Sequence, residues 1–241
     1  MKVYSDTNIG LIRDENQDRV RTVVLGEDAV FAVVCDGMGG ENAGSEASEK
    51  AIGIIYDRVT KVYRSDCNAE SVRSLLISSA MTANAVIFDM AASNMNKKGM
   101  GTTCVAALRR GNRLHVISVG DSRVYLIGNG IAQITKDHSV VMQMYENGEI
   151  SKEEIKDHPR RNYITKAIGV TPSLTPDYFA VDVDDDSVIM LCSDGLTNHC
   201  DENAILRAAK STSAEELSAK LIKLALDDGG KDNITVAVIS N

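Results

Sequence analysis

The chain has 241 residues and a formal net charge of −8, from 26 basic and 34 acidic side chains. That balance argues against a surface built for nucleic acid or anionic lipid, which needs clustered Lys and Arg. Five cysteines, an odd number with no C-x-x-C pair, argue against a disulfide framework.

Aromatic residues make up 4% and Trp is absent, so the core must be aliphatic. A chain of this length buries a core without staples. It shows no repeat or low-complexity tract and has only three prolines, so one domain over residues 1–241 is expected. No apolar leader opens the chain, and the run Ala29–Cys35 is far short of the ~20 apolar residues that span a bilayer. A monomeric cytoplasmic protein is the expectation. Cys35 and Cys192, at the ends of apolar runs, read as small core hydrophobes and not as nucleophiles.

The first strands expected are Val20–Leu25 and Ala29–Cys35. Two helices follow. Ala43, Ala47, Ala51, Ile54, Ile55, Val59 and Val62 recur at three and four, as do Val72, Leu75, Leu76, Ala80, Ala83, Ile87, Met90 and Ala91. Strands return at Cys104–Arg109, Leu114–Val119 and Arg123–Ile127. The polar segment Val140–Ala167 interrupts them, with a short helix expected from Ser151, where Glu154 completes a capping box. Strands Phe179–Val183 and Val188–Cys192, a helix from Ser213 boxed by Glu216, and strand Ile234–Ile239 close the chain. Phe31-Ala32-Val33-Val34-Cys35 is apolar throughout, which requires cover on both faces. Hairpin-length turns separate consecutive runs, and the helices come in blocks. Two stacked antiparallel sheets with helices outside are therefore expected.

Aspartates mark the strand ends. Asp36, Asp121 and Asp194 follow strands, while Asp18 and Asp232 precede them. In antiparallel sheets one strand's exit lies beside its neighbour's entry, so all five can share one edge. Five converging carboxylates repel unless cations neutralise them. Oxygen-only ligands select Mg²⁺ or Mn²⁺ over Zn²⁺, and the four histidines form no zinc pattern. Any single Asp-Gly also reads as a plain turn.

The ordered motifs resemble those of the metal-dependent protein phosphatases, the type 2C or PPM family, in its bacterial form. They are Gly10-x-x-Arg13-x-x-Asn16-Gln17-Asp18, then Asp36-Gly37-Met38-Gly39-Gly40-x-x-x-Gly44, Gly101-Thr102-Thr103, and Val119-Gly120-Asp121-Ser122-Arg123. Asp137-His138-Ser139, His158-Pro159 with Ala167-Ile168-Gly169, Ser193-Asp194-Gly195-Leu196 and Asp232-Asn233-Ile234-Thr235 follow. The resemblance spans nearly the whole chain. It implies an α+β fold, a four-layer αββα sandwich of two antiparallel sheets flanked by helix pairs. It also implies that Asp36, Asp194 and Asp232, with the Gly37 carbonyl, hold two cations tightly, and that Asp18 reaches them through water. Asp121 with Asp194 would hold a third, looser cation, and Arg13 would bind substrate phosphate. The segment 140–167 resembles the family's flap beside the site; a plain surface insertion is the competing reading.

Met38 stands where some relatives carry a His proposed as general acid, which leaves the proton donor open. Asn198 stands where some have another Asp, which makes the third cation's shell poorer. For Arg13 a surface ion pair with Asp14 or Glu15 is the alternative. The implied activity is hydrolysis of phosphoserine and phosphothreonine in proteins by a metal-bridged hydroxide, opposing a bacterial Ser/Thr kinase. The competing functions are a phosphatase dedicated to one phosphoserine switch protein, such as a sigma-factor regulator, and a non-catalytic phosphoprotein-binding domain.

Overall fold

The computed structural model describes residues 1–39 and 43–241. The strands are β1 (Lys2–Asn8), β2 (Asp18–Val24), β3 (Ala29–Met38), β4 (Gly101–Thr102), β5 (Cys104–Arg110), β6 (Arg113–Val119), β7 (Arg123–Ile127), β8 (Ile131–Gln133), β9 (Asp177–Asp182), β10 (Val188–Cys192) and β11 (Ile234–Ser240). The helices are α1 (Ala43–Val62), α2 (Ala69–Ser93), α3 (Val140–Glu146), α4 (Asp194–Thr197), α5 (Glu202–Ser211) and α6 (Ala214–Asp227).

Two antiparallel sheets stack face to face among the described residues. One runs β1-β11-β10-β7-β8 and the other β2-β3-β5-β6-β9, with β4 added to β3. Strand alternation explains the apolar runs. Along β3, Val30, Ala32 and Val34 face the other sheet, where they meet Ile189, Leu191, Ala237 and Ile239. Phe31, Val33 and Cys35 face outward onto α1 and α2. On the far side, Met190, Cys192, Val236 and Val238 pack against α5 and α6. The four-layer αββα sandwich is thus present, with its core in three apolar layers. Leu76, fully buried on α2, illustrates the energetics: truncation to Ala costs about 2–5 kcal/mol.

Among the described residues, α2 is the one helix long and apolar enough to cross a membrane, with a mean hydropathy of 1.5 along its most apolar stretch. Here its apolar face, from Val72 to Ile87, is buried in the layer shared with α1 and β3.

Caps set the helix starts. The Asn68 side chain accepts from Ser71 N at 2.8 Å and starts α2. Ser213 accepts from Glu216 N and donates to its carboxylate, starting α6. The expected helix at Ser151 does not form. Glu154 does accept from Ser151 N at 2.7 Å, but only turns follow, because no apolar face there packs on the core. Sequence patterning also passes over β1, whose exposed polar residues hide its pairing with β11.

Candidate active site

The aspartates meet because strand register brings them together. Asp18 opens β2 directly opposite Asp36 on β3. Asp36 is not at a strand exit: β3 continues to Met38, where β4 pairs with it. Two threonines fasten this point. Thr102 Oγ1 and Thr103 N donate to the Asp36 carbonyl, each at 2.8 Å, and Asp36 N donates to Thr103 Oγ1 at 3.0 Å. Thr103 Oγ1 also bonds Ser122 Oγ at 2.7 Å, which ties Asp36 to the β6–β7 turn bearing Asp121.

Glycine is required at two of these places. A Cβ on Gly37 would lie 2.2 Å from the Gly44 carbonyl oxygen, so the start of α1 could not close on β3. Gly120 has φ +100° and a Cβ there would lie 2.6 Å from the Thr103 side chain. The chain crosses between sheets at this turn, and only glycine allows it.

On the other sheet, Asp194 follows β10 as the first residue of α4. Ser193 occupies the cap position but makes no side-chain cap. Its hydroxyl instead donates to Asp18 Oδ2 at 2.6 Å and accepts from Thr235 N at 3.0 Å. One serine therefore links the two sheets at the site. Asn198 Nδ2 donates to Asp194 Oδ2 at 3.0 Å.

Asp232 precedes β11. Its Oδ2 accepts from Arg13 Nη2 at 2.7 Å; the alternative pairing of Arg13 with Asp14 or Glu15 does not occur. Asn233 holds the arginine-bearing loop. Its Nδ2 donates to the carbonyls of Ile9 and Glu15, both at 2.9 Å, and its Oδ1 accepts from Gln17 N at 2.8 Å.

Arg13, Asp36, Gly37, Asp121, Asp194 and Asp232 line one cavity of about 1150 Å³. Asp18 lies beneath it, 1% exposed. Burial pushes the Asp18 carboxyl up to about 7, against the bond from Ser193 that opposes the shift; Asp194 and Asp232 add to it. Burial, then Asp194 and Asp137, push Asp121 up to about 8. Asp36 rises well above the ordinary carboxylate range through burial and the charges of Asp18, Asp194, Asp121 and Asp232. Asp194 rises through burial and Asp232. The cavity floor is short of positive charge.

A hard divalent cation fits this deficit. The donors are carboxylate oxygens, and Asp18 Oδ1 is buried with no hydrogen-bond partner. Among the described residues, however, no three acidic, His or Cys side chains are drawn together closely enough to cage an ion unaided.

The structure brings together Arg13, Asp18, Asp36, Gly37, Asp121, Asp194 and Asp232. Gly40, part of the second motif, lies outside the described residues. From the segment 140–167, Asn162 and Ile164 reach the cavity wall. Ser193 and Asn233 stood inside quoted motifs, yet sequence reasoning assigned them no role. The signal was available: each is a short polar side chain beside an aspartate at a strand end.

The protein phosphatase 2C family model matches residues 13–224. A serine/threonine phosphatase stp from Listeria welshimeri is 37% identical over 235 residues, 97% of this chain and 93% of that one. The serine/threonine protein phosphatase PstP of Mycobacterium tuberculosis is 35% identical over 95% of this chain and 43% of its own length. Among solved structures, Stp1 from Staphylococcus aureus matches with a TM-score of 0.93 at 34% identity, covering 100% of this chain and 94% of that one. The catalytic domain of PstP in complex with 2 manganese ions matches with a TM-score of 0.84 at 30% identity, over 98% of this chain and 96% of that one. The chain belongs to the protein phosphatase 2C family and is a serine/threonine protein phosphatase of this metal-dependent class.

Proposed function

We propose that the cavity is the catalytic site, that Asp36, Asp194 and Asp232 with the Gly37 carbonyl hold two tight Mn²⁺ or Mg²⁺ ions, and that Asp121 with Asp194 holds a third, looser one. What carries the reading is the convergence of Asp36, Asp121, Asp194, Asp232 and Arg13 on a single cavity, with Asp18 buried beneath it and the carboxylates starved of positive charge. When bound, the cations supply Lewis acidity toward the phosphoryl oxygens and acidify a water.

The chain's own residues do the rest. Arg13, half-exposed beside Asp232, swings its fork to the incoming phosphate and holds two of its oxygens. Asp18 accepts from Ser193 through Oδ2 and leaves Oδ1 free, and would reach the cations through a bound water. Asn233 fixes the loop from Ile9 to Gln17, so the arginine is pre-placed against the aspartates. Asn162 and Ile164, in the flap at 140–167, border the entrance and meet the protein around the phosphorylated residue. Met38 lines the cavity and cannot donate a proton; water is the donor we assign to the leaving alkoxide.

The substrates are phosphorylated proteins, and the biological role is to oppose a Ser/Thr protein kinase in the cytoplasm, as a monomer. The test is hydrolysis of p-nitrophenyl phosphate after exhaustive chelation, with Mn²⁺ or Mg²⁺ added back. Activity is expected to vanish and return. Full activity in EDTA would overturn the assignment. A phosphoproteome compared with and without the protein then identifies the kinase pathway it opposes.

A further inference from the structure

We propose that His199 is a positioning residue that locks the segments carrying Asp194 and Asp232 to each other and so sets the affinity of the cation site. This rests on the reading above that both aspartates are cation ligands.

His199 lies just past α4, which begins at Asp194, and its backbone N donates to Leu196 O at 3.1 Å. Its side chain is 6% exposed. The backbone amide of Lys231, the residue before Asp232, donates to His199 Nε2 at 3.1 Å. An amide N–H can only donate, so Nε2 must carry a lone pair. The neutral ring then bears its proton on Nδ1. Nδ1 lies 2.9 Å from Asp228 Oδ2, a carboxylate 66% exposed that accepts that proton's hydrogen bond. Both ring nitrogens are thus committed, and the ring is free neither as a metal ligand nor as a proton donor.

The two segments are also joined after Asp232, where Ser193 N donates to Thr235 O at 3.1 Å and Thr235 N donates to Ser193 Oγ at 3.0 Å; the His199 contact is the tie before it. The chain has left α6 and has not entered β11, and Gly229 and Gly230 hold φ of +118° and +45°. The neighbouring Gly230 carbonyl accepts from Leu11 N at 2.7 Å. The imidazole therefore adds a side-chain tie between the Asp194 segment and the residue before Asp232, and Gly230 carries it on to the loop bearing Arg13. Groups that orient ligands without touching the ion typically alter metal affinity about 10–100-fold when removed.

The experiment is calorimetric titration with Mn²⁺ of the wild-type protein, His199→Leu and His199→Gln. Leucine fills the space without an acceptor. Glutamine places an oxygen close to where Nε2 stands. The leucine variant is expected to bind Mn²⁺ about 10–100-fold more weakly, with turnover restored by saturating Mn²⁺, and the glutamine variant to recover most of the affinity. Melting in EDTA reads separately what the lost hydrogen bonds cost the fold. Wild-type affinity in His199→Leu would overturn the inference, as would a loss that glutamine does not rescue. If His199→Leu fails to fold, the exposed Asp228→Ala carries the test by releasing the tautomer: several-fold weaker Mn²⁺ binding is expected, and unchanged binding overturns the proposal. A wild-type protein that binds no Mn²⁺ would instead overturn the ligand assignment itself.

Discussion

Arg13 and Asp232, 219 positions apart in the chain, are joined by a charge-assisted hydrogen bond of 2.7 Å. The guanidinium thus stands as counter-ion to a carboxylate proposed to hold a cation. The bond keeps Arg13 in its charged form, so its value lies in geometry and placement.

Two opposite effects are expected from Arg13→Ala. The phosphate loses its fork, and charge-assisted hydrogen bonds are worth about 1.5–3 kcal/mol, which corresponds to an expected fall of about 10- to 150-fold in kcat/KM. Mn²⁺ affinity is expected to stay equal or rise, because a competitor for Asp232 has gone. Lysine restores charge but not the bidentate fork, so rescue is partial. Steady-state kinetics paired with metal titration checks this; wild-type kinetics in the alanine variant would return Arg13 to a surface pairing role.

The metal-free protein is expected to lose stability as pH rises from about 4 to about 8 and to level off above that. Asp18 and Asp121 sit at about 7 and about 8 when folded, against an ordinary aspartate near ~3.9. In this window the folded state therefore binds more protons than the unfolded state. Their stabilising protonation is complete below the unfolded value and is lost as pH climbs through 7 and 8. His115 and His138, held below the usual imidazole value chiefly by burial, act in the opposite sense and offset part of this loss as pH rises through the unfolded imidazole range. With Mn²⁺ present the ionised form is the one stabilised, so the slope is expected to flatten or reverse. Melting curves across this range, in EDTA and in Mn²⁺, read both. A parallel pH dependence in the two buffers would contradict the cation assignment.

Asp137 is expected to matter for stability. Arg123 donates to it through Nε at 3.0 Å and Nη2 at 2.7 Å, and Gln133 Nε2 adds a bond at 2.9 Å. Asp137 is 8% exposed and Arg123 26%. Removing one partner of a buried pair costs about 3–5 kcal/mol, and partial exposure of the arginine favours the lower end. Urea unfolding of Asp137→Ala measures it. The next residue, His138, accepts from Gly120 N at 3.0 Å, so the Asp121 turn is expected to loosen as well. A midpoint unchanged within error would show the pair to be solvated.

What the sequence made legible follows physical periodicity. The alanine and isoleucine spacing of α1 announced a buried face, and the unbroken run of β3 announced two covered faces. The aspartates stood out because each stands at or beside the end of an apolar run, although β3 continues past Asp36 to Met38. By contrast, α5 was passed over although its Asp201 cap accepts from Ala204 N at 2.7 Å, because its buried residues are few, chiefly Ile205 and Ala208. The site's fastenings were hidden for another reason. Ser193 to Asp18, Asn233 to Ile9 and His199 to Lys231 each join residues 32 to 224 positions apart, and no local pattern encodes such a bond.

Asp121 offers the sharpest separation of the proposed cations. It lies in a turn fastened by Gly120, Thr103 and Ser122, and its proposed cation partner is Asp194. Asn198 already occupies Asp194 Oδ2 and brings no charge. Water must therefore fill most of the third cation's shell, which makes that site weak and quickly exchanged. Asp121→Asn removes one charge while keeping the shape of the turn. It is expected to fold, to keep the two tight Mn²⁺ ions, and to be largely inactive toward phosphopeptides. It also removes a carboxylate whose ionised form burial disfavours, with Asp194 adding repulsion. In EDTA at about pH 8.5, above the folded aspartate value, the variant is therefore expected to melt higher than wild type. Calorimetry with Mn²⁺ should show the weak site gone and the tight sites intact. Normal turnover at low Mn²⁺, together with unchanged melting in EDTA, would make Asp121 a turn residue and nothing more.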